Sequence, residues 1–184
     1  MGSWLRRIVG VLGRINGPLS RAGRDSAGAL LAAMLALALA QILSRGLFHH
    51  SLGWAEELAR VALVWSVLLV APYAYRKGAH VAIVSFAEAL PPRLLAATSL
   101  LLNLLIVWIL AVLFVESVDF WRRGLEITAA SMDLKMAWIY AIVPVAFAML
   151  ILVGLELVAR LLLHLGGEPA GIAMEGAMPA VVED

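Results

Sequence analysis

At 184 residues, with 63% apolar and 15% charged side chains and a mean hydropathy of +0.95, the chain is too apolar for a soluble domain, where about half is apolar and a quarter charged. A formal net charge of +1 offers no attraction for nucleic acid, and the lack of any cysteine excludes disulfides, thiol catalysis and cysteine-based metal sites. The length leaves room for four membrane spans of about 20 residues with short loops, and so for one membrane domain.

Residues 1–25 carry five arginines and one acid. Trp4, Leu5, Ile8, Val9, Val11, Leu12 and Ile15 place several apolar side chains on one helical face, with Arg6, Arg7 and Arg14 elsewhere. Two readings stand for this segment. It is either a short amphipathic helix on an anionic membrane surface, ended by Gly17-Pro18, or a disordered basic tail that sets orientation. The apolar run starting near Ala27 is long enough to stay in the membrane, unlike a cleavable signal.

The first span is expected over residues 26–44, with Gln41 as its strongly polar interior residue. A short external loop holding His49 and His50 follows. The second span, about 55–75, returns inward, with a bend expected at Pro72. Residues 79–90 (AHVAIVSFAEAL) are too short to cross a bilayer and end at Pro91-Pro92, which predicts an interfacial helix on the cytoplasmic surface. The third span, about 94–115, contains Asn103, an amide able to bond a neighbouring helix. The longest external segment runs from Glu116 to Lys135. The fourth span, about 136–155, has a kink expected at Pro144 and ends in Glu156 and Arg160, spaced for a local i,i+4 pair. Residues 165–184, rich in Gly, Ala and Pro and acidic, read as a disordered cytoplasmic tail.

Charge orients the whole. Nine lysines and arginines fall on the side of the N-terminus and four on the other, counting Arg60 as a membrane residue. The positive-inside rule then puts both termini in the cytoplasm. The expected architecture is all-α: an integral membrane domain over residues 26–164 with four transmembrane helices, and a short interfacial helix between spans 2 and 3.

The stretch Glu56–His80 is the most informative. Between Arg60 and Arg76 lie fifteen uncharged residues, about 22 Å of helix at 1.5 Å per residue, against a hydrocarbon core of roughly 30 Å. The helix must start earlier, and Glu56, Glu57 and Arg60 then sit at or just below one interface. Charges at that depth need partners or cover, which marks them as a functional site. The bland alternative is an intrahelical ion pair at i,i+3 or i,i+4.

Little else carries chemistry. All four histidines lie in loops or near helix ends, not at matched depth inside facing helices as a membrane haem requires. GxSxG, HExxH, Walker and GxGxxG signatures are missing, which argues against an enzyme. An autonomous oligomeric transporter remains a rival, although paired broken helices and mid-span charges are not visible.

Trp54, Glu56, Glu57, Arg60 and Trp65, followed by Arg76, Gly78 and His80 and then Leu90-Pro91, form the pattern W-x-E-E-x-x-R-x-x-x-x-W, R-x-G-x-H, L-P. With Trp138, Tyr140 and Pro144 at the start of the last span, this pattern resembles the small permease (DctQ-like) subunit of tripartite ATP-independent periplasmic (TRAP) transporters. The resemblance covers roughly residues 26 to 163. One departure is Asp133-Leu134-Lys135-Met136-Ala137, where the family often has a proline a few residues before the tryptophan.

The resemblance implies a bacterial inner-membrane uptake system for an organic acid, without a cofactor. A periplasmic binding protein delivers the substrate, a large permease subunit carries it on an ion gradient, and the small subunit acts as a scaffold. It implies that Glu56, Glu57, Arg60, Trp65 and His80 meet the large subunit. Arg76, Lys77 and Arg93 would set topology or bind lipid headgroups, and Arg122 and Arg123 could meet the binding protein.

Overall fold

The computed structural model describes residues 2–48, 53–78, 91–129 and 134–166. These form helices α1 (Gly2–Phe48), α2 (Gly53–Arg76), α3 (Pro92–Arg123), α4 (Met136–Tyr140) and α5 (Ile142–Leu165). Four helical segments, counting α4 and α5 together, are long and apolar enough to cross a membrane. Among the described residues there is no strand, only an isolated antiparallel bridge between Thr128 and Lys135 in the α3–α4 turn. The chain is all-α and multi-pass. The interfacial helix expected at 79–90 and the tail after 166 lie outside the described residues.

α1 departs from the sequence reading. Its 47 residues make a rod of about 70 Å, more than twice the hydrocarbon thickness. The basic segment is neither a separate short helix nor a disordered tail but the first half of this rod, and Gly17-Pro18 does not end it. Pro18 lacks the N–H that would bond the Arg14 carbonyl. Two side chains cover the next turn: Ser20 Oγ and Arg21 Nε donate to the Gly17 carbonyl at 3.2 and 3.1 Å. Asn16 and Ser20 are buried, and Val9 packs on Ala159 and Leu163 of α5. Tertiary packing carries the helix across a local breaker, as it supplies most helical stability in proteins.

The prolines of the other spans act differently. Pro72 is fully buried and leaves α2 continuous. Pro144 has no N–H for the Tyr140 carbonyl, and the last span is interrupted at Ala141, between α4 and α5. α2 stops at Arg76, where Gly78 takes φ 70° and donates to the Tyr75 carbonyl at 3.0 Å. Glycine closes a helix in this left-handed conformation at low steric cost.

α1 and α2 pair closely, and α5 lies against α1, α2 and α3. The core accordingly runs along α5, where Val153, Leu157 and Leu161 are almost completely enclosed and pack with Tyr75, Ala96 and Leu110. Large side chains on the outer faces, such as Leu39, Leu101 and Trp108, stay uncovered. In lipid, apolar contact between helices gains little over contact with acyl chains, so close packing and interhelical hydrogen bonds must hold the bundle. Glycine supplies the close packing. A Cβ on Gly23 would stand 2.5 Å from the Leu69 carbonyl oxygen of α2, and one on Gly154 would stand 2.5 Å from Val107 Cγ2 of α3.

Candidate functional site

The strongest polar arrangement lies where the first half of α1 meets the ends of α2 and α5. Glu156 is 0% exposed and accepts hydrogen bonds from three helices. Arg160, one turn on in α5, donates through Nε at 3.1 Å and Nη2 at 2.8 Å to Oε1. Arg76, the last residue of α2, donates through Nη2 to Oε1 at 3.1 Å and through Nε to Oε2 at 3.2 Å. Asn16 of α1 donates Nδ2 to Oε2 at 2.8 Å and to the Leu152 carbonyl at 3.0 Å. A buried carboxylate is tolerable only when paired and hydrogen-bonded, and here both oxygens are occupied. The cluster is a lock between helices.

A second polar link ties α2 to α3. Tyr75 donates its hydroxyl hydrogen to Asn103 Oδ1 at 2.8 Å, and Asn103 Nδ2 donates to the Ser99 carbonyl at 2.8 Å. Asn103 thus makes the cross-helix bond expected of it, on the scale of about 0.6 kcal/mol for such bonds in membranes.

At the opposite end of α2, Glu56 and Arg60 form an i,i+4 ion pair, with their side chains 50% and 73% exposed. Gln41 Nε2 of α1 lies 3.4 Å from Glu56 Oε2. The pair is open to whatever surrounds the chain, not enclosed by it.

Residues 34–164 match the family model of the DctQ component of tripartite ATP-independent periplasmic transporters. The chain belongs to the DctQ family. It is 25% identical over 133 residues to the sialic acid TRAP transporter small permease protein SiaQ of Vibrio cholerae, covering 72% of this chain and 77% of that protein. It is also 33% identical over 122 residues to the sialic acid TRAP transporter permease protein SiaT of Haemophilus influenzae. That match covers 64% of this chain and spans 19% of the length of SiaT. As a DctQ component the chain is a transmembrane TRAP small permease subunit, a part of a transporter and not an enzyme.

The structure distributes the sequence-predicted residues of this DctQ component over several places. Glu56, Arg60 and the half-buried Glu57 share the N-terminal end of α2. The half-buried Trp65 donates its Nε1–H to the Ile139 carbonyl at 3.0 Å, covering the last turn of α4 beside the interruption at Ala141. Trp65→Phe keeps an aromatic side chain but removes the indole N–H that meets that carbonyl. The expected loss is about 1 kcal/mol, measurable as a lowered unfolding temperature in detergent.

Arg76, read from sequence as topology-setting or lipid-binding, is engaged with Glu156, whereas Lys77 is exposed just past α2. Arg93 falls in the first turn of α3, and His80 lies outside the described residues. Arg122 pairs with Asp119 at 3.4 Å on the surface, and Arg123 is exposed beside it. Sequence reasoning took Glu156–Arg160 as a local pair. That pair exists at 2.8 Å, yet it is one arm of a larger cluster. The available signal was that Arg76 and Glu156 stand at same-side ends of the expected second and fourth spans; Asn16 lay outside every expected span and gave none.

Proposed function

We propose that this DctQ component is a structural scaffold beside a large TRAP permease subunit, in ion-gradient-driven uptake of an organic acid delivered by a periplasmic binding protein. The proposed setting is the bacterial inner membrane, with both termini cytoplasmic. The observation that carries the reading is the state of Glu156. A carrier keeps a membrane-embedded charge available to its substrate or coupling ion, whereas Glu156 is saturated by donors from its own chain. The buried charge is spent on rigidity, as a scaffold requires.

The exposed Glu56–Arg60 pair supplies the complementary feature. Charged side chains near membrane depth gain from a polar protein partner, and among the described residues Gln41 approaches the pair without enclosing it. The match to SiaT supports the partner. In a protein named as a permease, the region similar to this chain is 19% of the length, leaving a much larger part without a counterpart here. Sialic acid, named for both relatives, belongs to the organic-acid class proposed as substrate.

The test separates assembly from stability. Arg60→Ala should lower the yield of complex with the large subunit while leaving the unfolding temperature of this chain unchanged. Arg76→Ala should lower that unfolding temperature, because it strips a donor from Glu156. Proteoliposomes holding this chain alone should show no uptake. Uptake by the chain alone would establish an autonomous transporter instead, and an intact complex with Arg60→Ala would remove the outer pair from the interface.

A further inference from the structure

We propose that the outward face of the first half of α1 lies against an anionic membrane leaflet, its arginines at the phosphates and its apolar side chains among the acyl chains. Arg7, Arg14 and Arg21 are exposed and stand seven residues apart, so they form one stripe that drifts by about 20° per step. Trp4, Val11 and Ile15, which are 68%, 55% and 51% exposed, form a second stripe at i, i+7 and i+11. The two stripes adjoin. Arg7 is three residues from Trp4 and four from Val11, and Arg14 is three from Val11, the spacings that make neighbours on a helix surface. Both stripes point away from the core face of α1, where Val9, Asn16, Ser20 and Gly23 are buried.

The basic stripe finds no counter-charge within its own helix. Asp25 is the one acidic residue between Gly2 and Phe48, and Arg24 holds it at 2.7 Å. Among the described residues Arg7, Arg14 and Arg21 enter no ion pair, and Arg21 spends its Nε on the Gly17 carbonyl one turn back. The carboxylate nearest this half of α1 from another helix is Glu156. It is enclosed on the core side, where Asn16, Arg76 and Arg160 already supply it with five hydrogen bonds. Arginine suits a phosphate partner, because its planar fork matches phosphate oxygens two at a time.

The height of this face in the bundle points to lipid. α3 and α5 run antiparallel, in contact at Gly124 and Ala137 and again at Val107 and Gly154. The start of α3 therefore lies beside the end of α5, where Val9 of α1 packs on Ala159 and Leu163. At that height the outer faces of the neighbours are apolar, with Leu94 and Leu101 of α3 and Leu162 of α5 all exposed. In a multi-pass protein such a continuous apolar surface marks membrane contact, and Trp4, Val11 and Ile15 carry it onto α1. Their stripe runs on through the exposed Ala22, Ala29 and Ala33 into the second half of the same helix. Arginines bordering a lipid-facing surface reach the headgroups on their long apolar stems, and each one near the leaflet surface adds affinity for anionic lipid. The inference needs the membrane placement of the chain and not its role as a scaffold, so uptake assays and this test fail independently.

The chain has no cysteine, so Ile15→Cys gives the full chain a single thiol for a bimane fluorophore. The labelled protein is reconstituted in mixed bilayers of phosphatidylcholine and phosphatidylglycerol, with one or the other lipid brominated. Both brominated lipids should quench the label, and phosphatidylglycerol should quench it more. Arg7→Gln combined with Arg14→Gln should lower that preference by about fivefold per arginine, whereas Arg7→Lys with Arg14→Lys should keep most of it. Both positions are exposed, so the unfolding temperature should hold in either pair. Absence of quenching by both lipids would put the stripe in water and overturn the proposal. Equal quenching by the two lipids, or a preference unmoved in the glutamine pair, overturns it as well. Loss of lipid quenching in the presence of the large permease subunit would make this face a protein contact and overturn it equally.

Discussion

Glu156→Ala is expected to destabilise the bundle by about 3–5 kcal/mol, the range for removing one partner of a buried ion pair. The loss goes beyond the hydrogen bonds themselves. Arg160 and Arg76 have side chains only 11% and 24% exposed, and without the carboxylate two guanidiniums face each other in a low-dielectric site. Asn16 loses its carboxylate partner as well, leaving its Nδ2 with the Leu152 carbonyl, also on α5. Arg76→Met or Arg160→Met should each cost less, since Glu156 retains another guanidinium. Combining Glu156→Leu with both arginine-to-methionine changes should recover much of the loss, because it removes the charge imbalance along with the charges. Thermal unfolding in detergent reads all of these. An unaltered unfolding temperature for Glu156→Ala would show that the cluster does not hold the helices together.

Gly23→Val should be the second large effect, about 1–3 kcal/mol by the usual cost of overpacking. The added Cβ would lie 2.5 Å from the Leu69 carbonyl oxygen. That atom belongs to the backbone of α2 and cannot rotate away, so α1 and α2 must separate. Gly154→Ala offers a graded comparison, because its nearest obstacle is the Val107 side chain, which has some freedom to yield. Gly10→Ala, with open space at the same atom, serves as the control and should be neutral or slightly stabilising through helix propensity. Separation of α1 from α2 would also move Gln41 away from Glu56. Cysteine crosslinking between the two helices should then fall in parallel with the unfolding temperature.

Much of the architecture was legible before any coordinates. Four apolar runs of span length, separated by charged or Gly- and Pro-containing segments, force four helices, because a bilayer leaves backbone groups no other way to bond. The motif running from Trp54 through Arg60 to Trp65 pointed to the family that residues 34–164 match. The i,i+4 relation of Glu156 to Arg160 was readable from spacing alone and is present. Gly17-Pro18 was read as a helix end, because local rules see a missing N–H and a flexible residue. They do not see Asn16 and Ser20 buried against another helix.

Composition, periodicity and charge order thus determined the class of this protein: its all-helical, four-span form and the resemblance that places it among TRAP small permease subunits. They act through terms local to a segment, namely the transfer of apolar side chains into lipid and the obligation of each helix to satisfy its own backbone. Tertiary structure alone decided how the charges are used. Asn16 and Glu156 are 140 residues apart, and Arg76 and Glu156 are 80 apart, so no spacing rule connects them. Their meeting depends on which helix packs against which, and on glycines that let backbones approach to contact distance. Arg76 looked from sequence like an orientation signal and Trp65 like an interface residue. The fold adds what neither reading held: Arg76 bonds Glu156, and Trp65 covers a carbonyl at the end of α4. Glu56 and Arg60 stayed exposed at the N-terminal end of α2.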